Sequence, residues 1–389
     1  MTPRLAAFSA VWCAYFAAIG LFNPYAPLWF KSLGFSTLAI GALASLQSWT
    51  RVLAPYAWGW LGDHSGRREE LLRLAAGGAL LAAVMLLFVR GYAVVALCVG
   101  LLFLANGGVV PLSEAALAHR LSSAHPSGAI DSTRYGRVRM WGSIGFIVAV
   151  VLAGIVMQGL GIGLFPWLAC GMFGLLLAAA LRLPPTRIAP DPDDAAPLRV
   201  LVVLRRPEVA WFFASIFLAV LAHTSLYAFF SLYLDSLGYG KAAVGALWAV
   251  SVVVEIVFFW FQGRWLPKMS AHRWLELAAA VAVLRFAATA AFGQYPAVLV
   301  AAQALHALTF AAQHGACILL INRYFPGRLR GRGQALYTTL GYGLSGVLGG
   351  VGGGWLSSRF GFATVFWAAA GAAALGWLGS VRTTRLAGR

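Results

Sequence analysis

Charged side chains lie inside apolar stretches of this sequence, where each one needs a partner or a function. Glu255 lies in SVVVEIVFF, between a run of valines and a pair of phenylalanines. A charge at the centre of a hydrophobic helix costs about 2.5–3.5 kcal/mol on insertion scales. Desolvation favours the protonated form of a carboxylate, whereas a nearby cation favours the ionised form. Glu255 is therefore a candidate for a carboxylate that takes up and releases a proton.

Two arginines also lie inside apolar stretches, Arg51 in the first half of the chain and Arg285 in the second. They offer two positive charges against Glu255, and we expect one to neutralise the glutamate while the other meets an anionic ligand. A guanidinium suits a carboxylate because its planar fork can donate two parallel hydrogen bonds. The sequence leaves the pairing open. We group Arg285 with the proton-coupling residues and Arg51 with the candidate substrate ligands.

Three histidines in the second half of the chain complete the set of titratable groups in apolar surroundings. His223 and Tyr227 are four residues apart and would share one face of a helix. His306 and His314 are eight residues apart, which in a regular α-helix gives about 12 Å of rise and roughly 80° of rotation. They are therefore not expected to face one small ligand. We expect His306 to join Glu255 in proton coupling. His223, Tyr227 and His314 are candidate substrate ligands, with packing or a hydrogen bond between helices as the alternative.

A second charged pair is predicted in the first half of the chain. Glu114 lies near the end of one apolar stretch, in PLSEAALAHR, and Arg139 lies near the start of the next, in RYGRVRMWGSIGF. Antiparallel neighbours can bring the two side chains together, and Gly142 and Gly145 allow close helix approach. The stretch around Arg139 resembles the fifth span of the lactose permeases, and Glu114 falls where that family has a carboxylate in its fourth span. This resemblance implies that the pair binds substrate, the alternative being an ion pair that only fixes two helices. Asn23, beside a proline in the first apolar stretch, is a further candidate ligand.

The composition around these residues is that of a membrane protein. Of the 389 residues 61% are hydrophobic and 11% are charged, whereas soluble domains usually carry about 25% charged residues. A membrane-spanning helix needs about 20 apolar residues. With that length the chain divides into twelve predicted spans: 5–30, 38–60, 71–89, 93–118, 135–160, 162–183, 209–234, 242–264, 273–292, 296–322, 331–356 and 361–381. The predicted fold is an all-α membrane protein with twelve transmembrane helices in two pseudo-symmetric six-helix lobes, 1–183 and 209–389, joined by a polar cytoplasmic linker, 184–208.

The distribution of basic residues predicts the orientation. Most of the 29 lysines and arginines fall in the loops on the same side as the two termini. Only Lys31, Arg90, Lys241 and Arg359 fall in the loops on the opposite side. Because loops rich in lysine and arginine stay in the cytoplasm, both termini are predicted to be cytoplasmic. The net charge of +17 is dispersed rather than gathered into one patch, which argues against a nucleic-acid partner.

The cysteines and motifs narrow the class of protein further. The four cysteines lie in apolar stretches without CxxC spacing, so no metal site or disulfide framework is predicted. HExxH, a nucleophile elbow and a Walker loop are absent from the sequence, which argues against a membrane enzyme and an ATP-driven pump. No cofactor is predicted.

The loop after the second predicted span, GWLGDHSGRREEL, contains a longer motif. It matches the pattern G-x-L-x-D-x-x-G-R-[KR]-x-x-L at Gly59, Leu61, Asp63, Gly66, Arg67, Arg68 and Leu71. The glycines permit a tight turn, and Asp63 can pair with basic groups or cap a helix end. Such contacts can be made and broken as a conformational latch. The motif resembles the signature of the major facilitator superfamily, which implies a transporter of two six-helix lobes.

A closer resemblance is to the phenylpropionate permease family, a relative of the lactose permeases. It is carried by RVRMWGSIGFIVAVVLAG, by the stretch from His223 through SVVVEIVFF, by ALHALTFAAQH, and by Arg51 and Arg285. The resemblance implies proton-coupled uptake of aromatic acids across a bacterial-type inner membrane. In lactose permeases the histidine that aligns with His306 is followed three residues later by a glutamate central to coupling. Here Thr309 occupies that place, so we expect Glu255 to carry the proton.

These observations together predict a secondary active transporter that works by alternating access. We expect proton-coupled symport of a small organic or aromatic carboxylate by a monomer. One alternative is proton-coupled uptake of a neutral sugar or nucleoside, with Glu114 and Arg139 as hydrogen-bonding ligands. Another is efflux of a drug-like compound.

Overall fold

A computed structural model describes residues 3–123, 132–184, 200–326 and 329–388. These residues form α-helices joined by short turns. The helices are α1 Pro3–Ser32, α2 Thr37–Ser65, α3 Arg68–Met85, α4 Tyr92–Asn106, α5 Val109–Ser123, α6 Ser132–Leu160, α7 Phe165–Leu181, α8 Val200–Leu204, α9 Pro207–Ser236, α10 Lys241–Trp265, α11 Ala271–Phe292, α12 Pro296–Ala304, α13 Gln313–Tyr324, α14 Arg330–Leu336, α15 Ser345–Phe360 and α16 Phe362–Ala387. Two π-helical segments, Ala307–Ala312 and Tyr337–Leu344, connect α12 to α13 and α14 to α15. The all-α class is confirmed.

Nine helical stretches of the described residues are long and apolar enough to cross a membrane, judged by length and composition. Every predicted span overlaps a helix, but the spans predicted at 38–60, 71–89 and 331–356 are not among the nine. The hydropathy of these three is lowered by different features. Arg51 lies within α2, Glu69 and Glu70 open α3, and α15 is rich in glycine. The membrane-protein class is supported, and the count of twelve stays a prediction.

The chain divides into two compact units. Unit 1 comprises Met1–Phe35 and Trp49–Asp194, and unit 2 comprises Ser36–Ser48 and Ala195–Arg389. The first turns of α2 therefore belong to unit 2, and the rest of that helix belongs to unit 1. Residues 185–199 of the predicted linker lie outside the described residues. The predicted lobe limits stay a prediction, and α8 forms near the end of the linker.

Unit 1 is organised around α1, which packs against α6 and α7. The closest approach is between α1 and α6, where a Cβ on Gly145 would overlap the Cys13 carbonyl oxygen. A Cβ on Gly142 would lie 2.6 Å from the Phe16 ring. The predicted close approach at these two glycines is therefore present, but the neighbour is α1 and not the helix that carries Glu114. The crossing places the start of α6 beside the aromatic residues of α1.

Unit 2 is built on α9, which packs against α15 and α16 and carries a row of buried aromatic side chains. Glycines on two faces of α15 make the close packing possible. On one face, a Cβ on Gly346, Gly350 or Gly354 would collide with the first turns of α2. On the other face, a Cβ on Gly349 or Gly353 would collide with side chains of α9. The glycines of each row are four residues apart in the sequence, and this spacing places each row along one side of α15.

Candidate functional site

Arg285 is the centre of a polar cluster inside unit 2. It lies on α11 with 1% of its surface exposed. One terminal nitrogen, Nη1, donates to Thr309 Oγ1 at 2.8 Å, and Nη2 donates to Gln303 Oε1 at 3.0 Å. Nη1 also lies 2.9 Å from His306 Nδ1. A buried guanidinium is tolerated only when such acceptors replace its lost hydration, so these contacts hold the charge inside the unit.

The contact with Arg285 determines where the proton of His306 lies. A guanidinium donates hydrogen bonds and cannot accept them, so His306 Nδ1 must be the acceptor. The proton of a neutral His306 is then on Nε2, which lies 3.8 Å from Glu255 Oε2. His306 thus lies between Arg285 and Glu255, whose side chain is 24% exposed. While Nδ1 accepts from Arg285, His306 has no nitrogen that can take up a second proton.

Thr309 extends the cluster from Arg285 to His223. The carbonyl oxygen of Ala219 lies 2.8 Å from His223 Nδ1 and can only accept, so Nδ1 carries a proton. His223 Nε2 is then available to accept from the Thr309 hydroxyl at 3.3 Å. The hydroxyl oxygen in turn accepts from Arg285. The Arg285 cluster comprises the residues Arg285, His223, Glu255, Gln303, His306 and Thr309.

The sequence interpretation did not assign Gln303 or Thr309 to the site. It noted Thr309 only as the residue that replaces a glutamate, and the structure shows the hydroxyl accepting a hydrogen bond from Arg285. A signal was present, because Gln303, His306 and Thr309 follow one another at intervals of three. Residues three apart are neighbours on a helix surface. This row of polar residues faces α11, where Arg285 needs acceptors.

An aromatic stack connects His306 with His314. His306 stacks on Phe310 with ring centroids 5.0 Å apart and planes 2° apart. Phe310 stacks on His314 at 6.2 Å and 15°. The two histidines are therefore linked through one ring, because residues four apart are neighbours on a helix surface. His314 itself lies 3.0 Å from the Tyr337 hydroxyl through Nδ1 and is not part of the Arg285 cluster.

Tyr227, predicted to share a face with His223, borders the cluster from the same helix. Its ring centroid lies 6.5 Å from that of His223. On its other side it stacks on Trp248 of α10 at 6.3 Å. His223 and Tyr227 therefore lie on one face of α9, and Tyr227 pairs there with Trp248 of α10.

The second predicted pair is present in unit 1. Arg139 Nη1 lies 2.5 Å from Glu114 Oε1, and the Tyr135 hydroxyl donates to the same oxygen at 3.2 Å. The Arg139 guanidinium lies over the Trp12 ring, 4.6 Å from its centroid. The side chains of Arg139 and Glu114 are 42% and 39% exposed. A pair that is this exposed is more accessible to a ligand than one buried between two helices.

Arg51 lies in the same region of unit 1. It is exposed on α2, and it acts electrostatically on Tyr15 together with Arg139 and Glu114. Asn23 is half-buried on α1, eight residues beyond Tyr15 and thus about 12 Å further along the helix. Arg51, Glu114 and Arg139 are therefore all within electrostatic range of Tyr15, and Asn23 lies further along α1.

The latch motif forms the turn between α2 and α3. Arg68 donates to Asp63 Oδ1 at 2.7 Å, and Arg67 lies 3.5 Å from Glu70. Gly66 has a φ of 63°, in the left-handed region that favours glycine, which explains the glycine of the motif at this turn. Gly59 lies inside α2. The predicted pairing of Asp63 with a basic group is present, and its role as a latch stays a prediction.

No group of three or more histidine, cysteine or acidic side chains is arranged to hold a metal ion within the described ranges. The polar side chains of both units instead bind one another. The guanidinium groups can bind an anion, the carboxylates and imidazoles can exchange a proton, and all of these groups can form a hydrogen bond with a hydroxyl group.

The sequence profile of the MFS_1-like family matches residues 5–368. The chain belongs to this family. It is 28% identical over 367 residues to the probable 3-phenylpropionic acid transporter of Escherichia coli K12, covering 91% of both chains. It is 28% identical over 343 residues to the maltose permease of Geobacillus stearothermophilus, covering 85% of this chain and 82% of the permease.

Solved structures share the fold of this MFS_1-like protein. The nucleoside transporter NupG aligns with a TM-score of 0.86 at 17% identity, covering 99% of this chain and 100% of NupG. A bacterial homologue of the human lysosomal transporter Spinster aligns with a TM-score of 0.72 at 14% identity, covering 99% of this chain and 98% of the homologue. The MFS_1-like chain is therefore a multi-pass secondary transporter of a small molecule, and its relatives are transporters rather than enzymes. The predicted superfamily is confirmed.

Proposed function

We propose that the protein is a proton-coupled symporter of a small organic carboxylate, preferably an aromatic one, which works by alternating access. The observation that carries the proposal is the connection of Arg285 to Glu255 through His306 inside unit 2. Intramembrane titratable groups are costly and are typical of proton pathways. The similarity to a probable 3-phenylpropionic acid transporter supports the class of substrate.

Glu255 carries the proton in this proposal. It is half-buried at the edge of the Arg285 cluster, so it can be reached by a proton while staying under the influence of Arg285 through His306. The buried arginine already has acceptors in Gln303 and Thr309. Arg285 is thus the arginine that stabilises the ionised glutamate.

Arg51 is left as the arginine that meets the substrate carboxylate. Its side chain is exposed, and the part of the chain that the structure describes provides it with no ion-pair partner. Trp12, Tyr15 and the Glu114–Arg139 pair lie in the same region of unit 1. Trp12 is buried under Arg139, so Tyr15 is the aromatic residue of this region that we propose for a substrate ring. A ring and a guanidinium together suit an aromatic acid, because the rings stack while the carboxylate accepts two hydrogen bonds.

We further propose that the protein lies in a bacterial-type inner membrane with both termini in the cytoplasm. The bias of lysine and arginine toward the loops on one side supports this orientation. We expect it to function as a monomer, with uptake rather than efflux as the direction of transport.

A second candidate substrate class is a neutral sugar or nucleoside. It is favoured by the exposed Glu114–Arg139 pair, because a carboxylate and a guanidinium together can hydrogen-bond several hydroxyl groups. The 28% identity to a maltose permease points in the same direction. In that case Arg51 would not be a ligand.

The test uses purified protein in liposomes that contain a pH-sensitive dye, with a panel of aromatic acids, sugars and nucleosides added outside. Acidification of the interior on addition of one aromatic acid would support both the coupling and the substrate class. Acidification by a sugar or nucleoside alone would favour the second candidate. Binding of a compound without any proton entry would contradict proton symport.

A further inference from the structure

A second polar chain lies next to the Arg285 cluster in unit 2. His314 Nδ1 lies 3.0 Å from the Tyr337 hydroxyl, which lies 3.2 Å from the Tyr342 hydroxyl. Tyr337 and Tyr342 are five residues apart in the π-helical segment, whose hydrogen bonds join residues at that spacing. The two phenols therefore meet on one face. His314, Tyr337 and Tyr342 together form the tyrosine chain.

The tyrosine chain is close to the Arg285 cluster, but an apolar ring separates them. Phe310 is stacked on His306 on one side and on His314 on the other, with centroid distances of 5.0 and 6.2 Å. Its ring also lies 6.5 Å from that of His223. A phenyl ring has no oxygen or nitrogen through which a proton could pass. Phe310 therefore interrupts the route between two sets of groups that can each carry protons.

We propose that Phe310 is the residue that prevents protons from leaking between Glu255–His306 and the tyrosine chain when no substrate is moved. The proposal rests on the proposed proton coupling. Protons move along chains of oxygen and nitrogen atoms or ordered water. A ring packed between His306 and His314 both lacks such atoms and occupies the space that water would need.

The groups around the stack of His306, Phe310 and His314 come from several elements. Glu255 and Phe259 lie on α10, and Phe259 meets the His314 ring edge-to-face at 6.4 Å. Arg285 lies on α11, and His223 lies on α9. Tyr337 belongs to the second π-helical segment. Of these neighbours Phe259 is the matched control, because it touches His314 without stacking on both histidines.

The experiment measures proton entry into liposomes without substrate, under an inward proton gradient with valinomycin and potassium to balance charge. We expect Phe310→Ala to acidify the interior several-fold faster than the unaltered protein. Phe310→His, which keeps a flat ring but adds nitrogen atoms, should also leak. Phe310→Leu and Phe259→Ala should remain tight. Adding His314→Leu to Phe310→Ala should abolish the leak, because the acceptor beyond the gap is then missing.

Substrate-driven proton entry, measured on the same liposomes, separates the two proposals. If the unaltered protein is coupled and both Phe310→Ala and Phe310→His stay tight, the separator role is wrong. If Phe310→Ala and Phe259→Ala leak equally, the leak reflects loosened packing and the proposal is also wrong. If the unaltered protein shows no substrate-driven entry while Phe310→His still leaks, proton coupling fails as the function and Phe310 stands as a barrier.

Discussion

At the scale of single residues, one buried guanidinium determines the hydrogen-bonding state of its neighbours. Arg285 can only donate, so His306 accepts through Nδ1 and turns a protonated Nε2 toward Glu255. Thr309 accepts from the same nitrogen of Arg285 and can donate to His223. Each histidine therefore has a defined tautomer, and Glu255 is the carboxylate of the cluster. This arrangement supports the proposed proton-coupling role.

We expect Glu255→Gln to abolish substrate accumulation driven by a pH gradient while leaving substrate exchange intact. A glutamine has a similar shape and can bond to His306, but it cannot take up and release a proton. The measurement is uptake of labelled substrate into liposomes with and without the gradient, beside counterflow. Glu276→Gln is the matched control, because Glu276 lies in the same unit but contacts Thr384. Full gradient-driven accumulation by Glu255→Gln would contradict the assignment.

Arg51→Gln should weaken binding of the carboxylate substrate. Charge-assisted hydrogen bonds are worth about 1.5–3 kcal/mol, so the dissociation constant should rise roughly 10- to 150-fold. The amide analogue of the same substrate should bind the variant and the unaltered protein alike, since it has no negative charge to lose. Calorimetry with acid and amide provides the comparison. An unchanged affinity for the acid would exclude Arg51 as its ligand.

At the scale of secondary-structure elements, departures from the regular α-helix position the side chains. His306, Phe310 and His314 form one stack at the four-residue spacing of a helix face, beside the π-helical segment Ala307–Ala312. The second segment, Tyr337–Leu344, brings two tyrosine hydroxyls together. Glycine rows act on the packing instead, because they let α15 approach α2 on one side and α9 on the other. The second π-helical segment thus joins two polar groups that a regular α-helix would turn apart.

The glycine row predicts a difference between two substitutions on α15. A Cβ on Gly350 would collide with Ser45 and the Gly41 carbonyl oxygen, whereas a Cβ on Gly352 has open space around it. Gly350→Ala should therefore destabilise the protein by roughly 1–3 kcal/mol, as overpacking does. Gly352→Ala should be neutral or slightly stabilising, since alanine favours the helix. Thermal unfolding in detergent compares the two, and equal melting temperatures would contradict the predicted close packing.

At the scale of the whole molecule, the two units differ in the charged groups they contribute. Unit 1 contributes Arg51 and an exposed Glu114–Arg139 pair, and unit 2 contributes a buried arginine joined to Glu255. This division is consistent with the proposed symport, in which Arg51 would meet the substrate and Glu255 would carry the proton. In alternating access, a ligand bound at one site shifts the equilibrium between the two conformations, and this shift changes the affinity of the other site.

The orientation in the membrane is testable with single cysteines in a cysteine-free background. Arg90 and Arg205 are both exposed, and the positive-inside rule places them on opposite sides of the membrane. In intact cells, a membrane-impermeant maleimide should label Arg90→Cys, and it should label Arg205→Cys only after permeabilisation. The reverse pattern would mean that the termini face outward.

Much of the site follows from the sequence, because charges inside apolar stretches are rare and costly. That constraint singled out Glu255, Arg285 and His306, and the structure joins them in one cluster. It also predicted that Glu114 and Arg139 would meet, and they do. The motif around Asp63 indicated the superfamily before any packing was known. These features are local in sequence or depend on one strong physical constraint.

Only the tertiary structure decided which polar side chains contact one another. Periodicity shows which residues share a helix face, but it does not show which helix packs there. It could therefore not tell that Arg285, rather than Arg51, is linked to Glu255 through His306, or that Gly142 and Gly145 face α1. Nor could it tell that the hydroxyls of Tyr337 and Tyr342 meet, because five residues of a regular α-helix turn two side chains apart and a π-helical segment brings them together. Sequence determines which polar residues must be satisfied inside the membrane, and packing selects the partners that satisfy them.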